Sequence, residues 1–133
     1  MGRRSCGTWG RAIVVASALA ASCFAGFVSF PAAADELVVP VDDPAVVALG
    51  KEKFGEKCGG FCHGSGGKGG RAPCLICGSF KRGGTDADLF KNIKSGVPGS
   101  AMGAFGDMYS DEQIVAIVAY LRAEQKKKAE EAQ

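Results

Sequence analysis

Cys58-Gly59-Gly60-Phe61-Cys62-His63 is the stretch on which the reading of this chain turns. A spaced cysteine pair followed at once by histidine is the pattern by which a haem is attached covalently. Two thiols bond to the haem vinyl groups, and the adjacent imidazole then lies beneath the iron as an axial ligand. His63 is the one histidine of the chain, so no second imidazole competes for the role. The spacing, however, is C-x-x-x-C-H, one residue longer than the usual C-x-x-C-H. Cysteines at i and i+4 still share a face of an α-helix. Moving histidine from i+4 to i+5 swings it by about 100° on a regular helix. The turn must therefore depart from α-helical geometry, and Gly59-Gly60 can absorb the extra residue as a bulge or kink.

The flanks of the motif are rich in glycine. Ten of the 26 residues from Gly59 to Gly84 are glycine, so regular structure does not order this segment. An irregular stretch of this length inside a small domain needs something to wrap, and a large apolar cofactor meets that need. Within it lies a second pair, Cys74-Leu75-Ile76-Cys77, followed by Gly78 rather than histidine. It cannot attach a second haem by the same pattern; a disulfide clamping the loop is expected, with redox activity as the sharper alternative. Taken together, Cys58, Cys62, Cys74 and Cys77 could instead hold zinc. Export, His63 and a methionine loop downstream argue against that alternative.

Helices are expected on both sides. Asp43-Pro44 is a cap followed by proline at the first helical position, and Val46, Val47, Gly50 and Phe54 follow at helical spacing. That helix is expected to end near Cys58-Gly59-Gly60. A second runs from Thr85 as cap to Ser95, with Leu89, Phe90 and Ile93 as its stripe and Gly96 as its stop. The third opens on a capping box of Ser110 and Gln113, and Ile114, Ile117, Val118 and Leu121 repeat along one face. Lys126, Lys127 and Lys128 read as a solvated helix end. No segment alternates over a strand's length, so the fold class is all-α, with about three main helices and a long Gly-rich loop.

The N-terminus carries Arg3, Arg4 and Arg11, then an apolar run from Ala12 to Phe30, then Pro31-Ala32-Ala33-Ala34. This is a signal peptide over residues 1–34 with cleavage expected after Ala34, leaving a domain over 35–133 with its core at about 43–125. An uncleaved run would be just long enough to anchor the chain in a membrane. Export to the periplasm brings an oxidising compartment, where cysteines pair or take a cofactor. Of 133 residues, 47% are hydrophobic and 23% charged, which excludes a disordered chain. The length also excludes a large two-domain enzyme. Charge is uneven: Lys51, Lys53, Lys57, Lys68, Arg71, Lys81 and Arg82 surround the cysteine motif, too few for nucleic acid but enough to bias docking toward an acidic protein surface.

Met102, in Gly96-Val-Pro-Gly-Ser-Ala-Met102-Gly-Ala-Phe-Gly106, sits in a glycine- and proline-punctuated loop that can bring a thioether onto a metal. Met108, just before the Ser110 cap, is expected to pack. With these residues in place the chain resembles the class I monohaem c-type cytochromes over nearly all of residues 43–125. Gly50 and Phe54 match the family's first helix, and Ile117 and Tyr120 its last helix, which crosses the first at that glycine. Pro73 matches the proline whose carbonyl accepts the histidine Nδ1–H, Leu75 an apolar residue on that haem face, and Met102 the distal ligand. Gly103 stands where the family usually has proline, which predicts a looser ligand loop.

The four cysteines resemble a small group of c-type cytochromes associated with methanol metabolism. That resemblance implies one haem c bound through Cys58 and Cys62, with His63 and Met102 on the iron, in a periplasmic monomeric electron carrier. Its implied donor is a quinoprotein (PQQ) alcohol dehydrogenase, and its acceptor another cytochrome or a terminal oxidase. A haem enzyme or gas sensor is the alternative if Met102 leaves the iron open.

Overall fold

The computed structural model describes residues 37–133. Residues 1–36, with the expected signal peptide and its cleavage point after Ala34, lie outside the described residues. Three α-helices make the frame: α1 (Pro44–Phe54), α2 (Asp86–Ser95) and α3 (Asp111–Glu131). Between α1 and α2 lie a π-helical segment, Gly55–His63, and one 3-10 turn, Ser65–Gly67. No strand occurs among the described residues, in agreement with the all-α reading.

Each helix starts where its capping chemistry puts it. The Asp43 carboxylate accepts from the Ala45 and Val46 amides ahead of α1. Thr85 and Asp88 form a reciprocal capping box at α2, and Ser110 and Gln113 do the same at α3. These bonds satisfy amides that have no partner inside the first turn. Gly96 ends α2 in the left-handed region, at φ 74°, where a side chain would be strained.

The core is the line along which α1 crosses α3. Ile114, Ile117, Val118 and Leu121 are almost fully buried, each contributing about 1.5–3 kcal/mol by leaving water. Gly50 makes the crossing possible: a Cβ there would collide with the Ala116 carbonyl and lie 2.9 Å from the Tyr120 Cβ. One turn further on, Phe54 meets Tyr120 with ring centroids 5.6 Å apart. Leu89 and Ile93 of α2 close the same core.

One expectation is corrected. Met108 does not pack; it is 56% exposed, and its neighbour Tyr109 takes the buried position. Lys126, Lys127 and Lys128 are exposed near the end of α3, as expected of a solvated helix end. The helix continues past them to Glu131, Lys126 lies 3.6 Å from Asp42, and the Lys128 ammonium lies 3.1 Å from the Cys77 sulfur.

Gly50→Ala is expected to destabilise the protein by about 2 kcal/mol or more, because the colliding group is backbone and cannot step aside. Gly55 has helical angles and open space around it, so Gly55→Ala is expected to stabilise by about 0.5 kcal/mol. Thermal unfolding of the two variants checks both signs.

Candidate haem-binding site

The extra residue of the C-x-x-x-C-H motif is taken up by a change of helix type. α1 ends at Phe54, and the chain continues without a break as the π-helix Gly55–His63. In a π-helix each amide bonds to the carbonyl five residues back. His63 is five residues beyond Cys58, so it recurs about one turn above it, as i+4 does in an α-helix. Of its glycines only Gly59 is closely approached: a Cβ there would lie 3.1 Å from the Phe54 ring, whereas no atom lies within 4 Å of a Cβ built on Gly55 or Gly60. The expected irregularity is thus a regular segment with a wider turn.

His63 is 8% exposed, and its Nδ1 lies 3.0 Å from the Pro73 carbonyl oxygen. With Nδ1 donating there, Nε2 is the ring nitrogen left to bind a metal. Cys58 is buried and Cys62 half-buried, and both are free thiols. Burial, and then the charge of Cys62, push the Cys58 thiol up to about 11, so the segment holds this sulfur as a neutral thiol. Cys74 and Cys77 are bonded to each other with Cα atoms 5.6 Å apart. The four sulfurs therefore do not converge as zinc would require, and no group of three His, Cys, Asp or Glu side chains does so among the described residues.

Met102 is half-buried against the core edge, together with Leu75, Phe80, Phe90 and Phe105. Its loop is held on both sides. The Val97 amide donates to the Met102 carbonyl at 3.0 Å, and the Met102 amide to the Ser100 hydroxyl at 3.2 Å. Beyond Gly103, the Phe105 and Gly106 amides donate to the Ile93 and Lys94 carbonyls, each at 3.0 Å. The loop is tethered despite Gly103, because these bonds supply the restraint that proline would otherwise give. One imidazole nitrogen, one thioether and two thiols are the donor types that a covalently held haem takes, and Leu75, Phe80, Phe90 and Phe105 supply half-buried apolar surface.

Three residues outside the sequence reading help to build the site. Tyr109 stacks on Phe105, with centroids 6.3 Å apart. Its hydroxyl reaches the Lys53 carbonyl at 3.1 Å and the Glu56 carboxylate at 3.2 Å. It thereby ties the end of the methionine loop to the start of the π-helix. The Gln125 amide donates to the Leu75 carbonyl at 2.6 Å. Gln125 lies four residues beyond Leu121 on the same face, which is the signal that could have found it. Phe61 is 69% exposed and lies under the Arg71 guanidinium, 4.5 Å from the ring centre.

Comparison with known proteins gives concordant matches. The family model described as "Cytochrome C oxidase, cbb3-type, subunit III" matches residues 45–121, more than half of the chain. The "Cbb3-type cytochrome c oxidase subunit CcoP" of Azospirillum sp. (strain B510) is 34% identical over 88 residues. That match covers 56% of this chain and 29% of CcoP, so the chain spans under a third of that relative's length. Among solved structures, cytochrome CL of the marine methylotrophic bacterium Methylophaga aminisulfidivorans MPT superposes with a TM-score of 0.59 at 23% identity. It covers 71% of this chain and 69% of that one, and supports the fold.

Burial first, and then the bond to Glu56, push the Tyr109 phenol up to about 12 from its ordinary 10.0. Because the folded value is the higher, the neutral phenol's contribution is complete below pH 10 and is lost as pH rises through about 12. Tyr109→Phe is expected to lower stability by about 1 kcal/mol at neutral pH and to lose less between pH 10 and 12 than the parent. Denaturant unfolding at pH 7, 10 and 11.5 measures both effects.

Proposed function

The chain belongs to the c-type cytochrome family described as cytochrome c oxidase, cbb3-type, subunit III, so it carries covalently attached haem c and transfers electrons rather than acting as an enzyme, and from that premise we propose that Cys58 and Cys62 carry the haem and that His63 and Met102 bind its iron. The observation that carries this assignment is the buried His63 imidazole with Nδ1 on the Pro73 carbonyl and Nε2 left over, one π-turn beyond a free cysteine.

Bound there, the haem supplies a one-electron couple. The residues of this chain set its conditions. A carbonyl acceptor on Nδ1 fixes the ring and makes Nε2 a stronger donor. A thioether ligand from Met102 would favour the ferrous state and raise the potential. With His63 and Met102 both bound to the iron, small molecules would be kept off it. Leu75, Phe80, Phe90 and Phe105 exclude water from the edges of the group, strengthening these effects.

The partners we propose are a quinoprotein (PQQ) alcohol dehydrogenase as donor and another cytochrome or a terminal oxidase as acceptor, with the exported protein working in the periplasm as a monomer. The four-cysteine pattern supports the donor, and the CcoP similarity an oxidase-linked acceptor. From Lys57 to Gly84 the chain carries five basic residues and no acid. None of the five forms an ion pair with a carboxylate among the described residues. A surface of this kind suits brief, salt-sensitive encounters with an acidic partner.

Met102→Ala is expected to let carbon monoxide bind rapidly to the ferrous protein, while Met108→Ala, at an exposed site, is expected to leave binding slow. Flash photolysis of the two variants tests the ligand assignment, and equal behaviour would reverse it. His63→Ala is expected to yield almost no holoprotein on co-expression with haem-attachment machinery; normal amounts of red protein would rule out the axial role.

A further inference from the structure

Pro73 is an exposed residue, and Gly69, Gly70 and Gly78 around it bring no side chains. Beyond it Leu75 packs on the core edge and Ile76 is buried, which anchors the far side of the loop. Hydrogen bonds fix the loop on both sides of the Pro73 carbonyl as well. On the N-terminal side the Ala72 amide donates to the Cys62 carbonyl at 2.9 Å. On the C-terminal side the Leu75 amide donates to the Gly67 carbonyl at 2.8 Å. Cys74, the residue after Pro73, is then closed onto Cys77 by the disulfide.

The same short loop is gripped from α3. Gln125 donates to the Leu75 carbonyl at 2.6 Å, and the Lys128 ammonium lies 3.1 Å from the Cys77 sulfur. Both residues lie beyond the family match, which ends at residue 121, and on the helical face that continues from Leu121.

We propose that the last turns of α3 and the Cys74–Cys77 disulfide form a clamp that positions His63 by fixing the Pro73 carbonyl. Gln125 and the disulfide are positioning elements; they act on the iron through the Nδ1–H···O=C bond. A slack loop weakens that bond, the imidazole donates less to the metal, and the ferric state loses stabilisation. The proposal rests on His63 being the axial ligand, and it adds the elements that tune it.

The test uses purified holoprotein. Gln125→Leu removes the donor while keeping the bulk, and Cys74→Ser with Cys77→Ser removes the covalent closure. Lys127→Leu, an exposed change on the same turn, serves as control. In a redox titration, the first two variants are expected to lower the ferric-to-ferrous ratio at fixed potential at least threefold, an upward shift of about 28 mV at 59 mV per tenfold. Proton NMR is expected to show faster exchange of the His63 Nδ1 proton, and Lys127→Leu is expected to match the parent in both. Should the double cysteine variant fail to mature, Gln125→Leu decides alone, since it breaks no covalent bond. A lowered melting temperature with parental potential and parental exchange would overturn the clamp and leave a purely structural role. A parent protein whose haem lacks histidine ligation would overturn the clamp together with the assignment beneath it.

Discussion

For Cys58, Cys62 and His63 to serve one haem, all three must reach one side of a flat macrocycle, and the number of residues per helical turn decides whether they can. With i+4 hydrogen bonding the histidine of a C-x-x-x-C-H sequence would point about 100° away from its usual direction. With i+5 bonding it returns to within about a turn of the first cysteine. The change from α1 to the π-helix at Gly55 is therefore the constraint on which the remainder depends. It puts His63 inside the protein, brings Nδ1 to Pro73, and leaves Cys58 buried.

The rest of the molecule supports that one segment from three directions. The α1–α3 crossing at Gly50 fixes its start, since Phe54 is packed on Tyr120 at the residue before the pitch changes. Tyr109 joins the same point to the methionine loop. The Leu75 loop, held by Gln125, closes the proximal side. The glycine-rich stretch itself is tied down by backbone bonds to its neighbours and by the packing of Leu75, Ile76 and Phe80.

Much of this was legible from residue types alone. The caps at Asp43, Thr85 and Ser110 and the Ile114–Leu121 stripe set the helices, because capping and amphipathic spacing are local properties. The need for an irregular turn within the C-x-x-x-C-H stretch was legible too. The manner of absorbing the extra residue was not, since a bulge, a kink and a π-helix are all compatible with Gly59-Gly60 and differ only in how the backbone amides pair. Nor were Gln125 and Lys128, whose partners lie about fifty residues away in a loop with no periodicity. Met108 misled because its apolar character says nothing of direction; Tyr109 beside it offers both a ring and a hydroxyl with partners inside, and takes the inward place.

With the π-turn in place, both Cys58 and Cys62 are expected to bond to one haem despite the longer spacing. The pyridine haemochrome spectrum of the purified protein tests it directly, because each vinyl left unreacted extends the conjugation and moves the visible band to longer wavelength. The account predicts the band position of a haem with two thioether links. A band displaced to the red, as for a haem held by one cysteine, would contradict it.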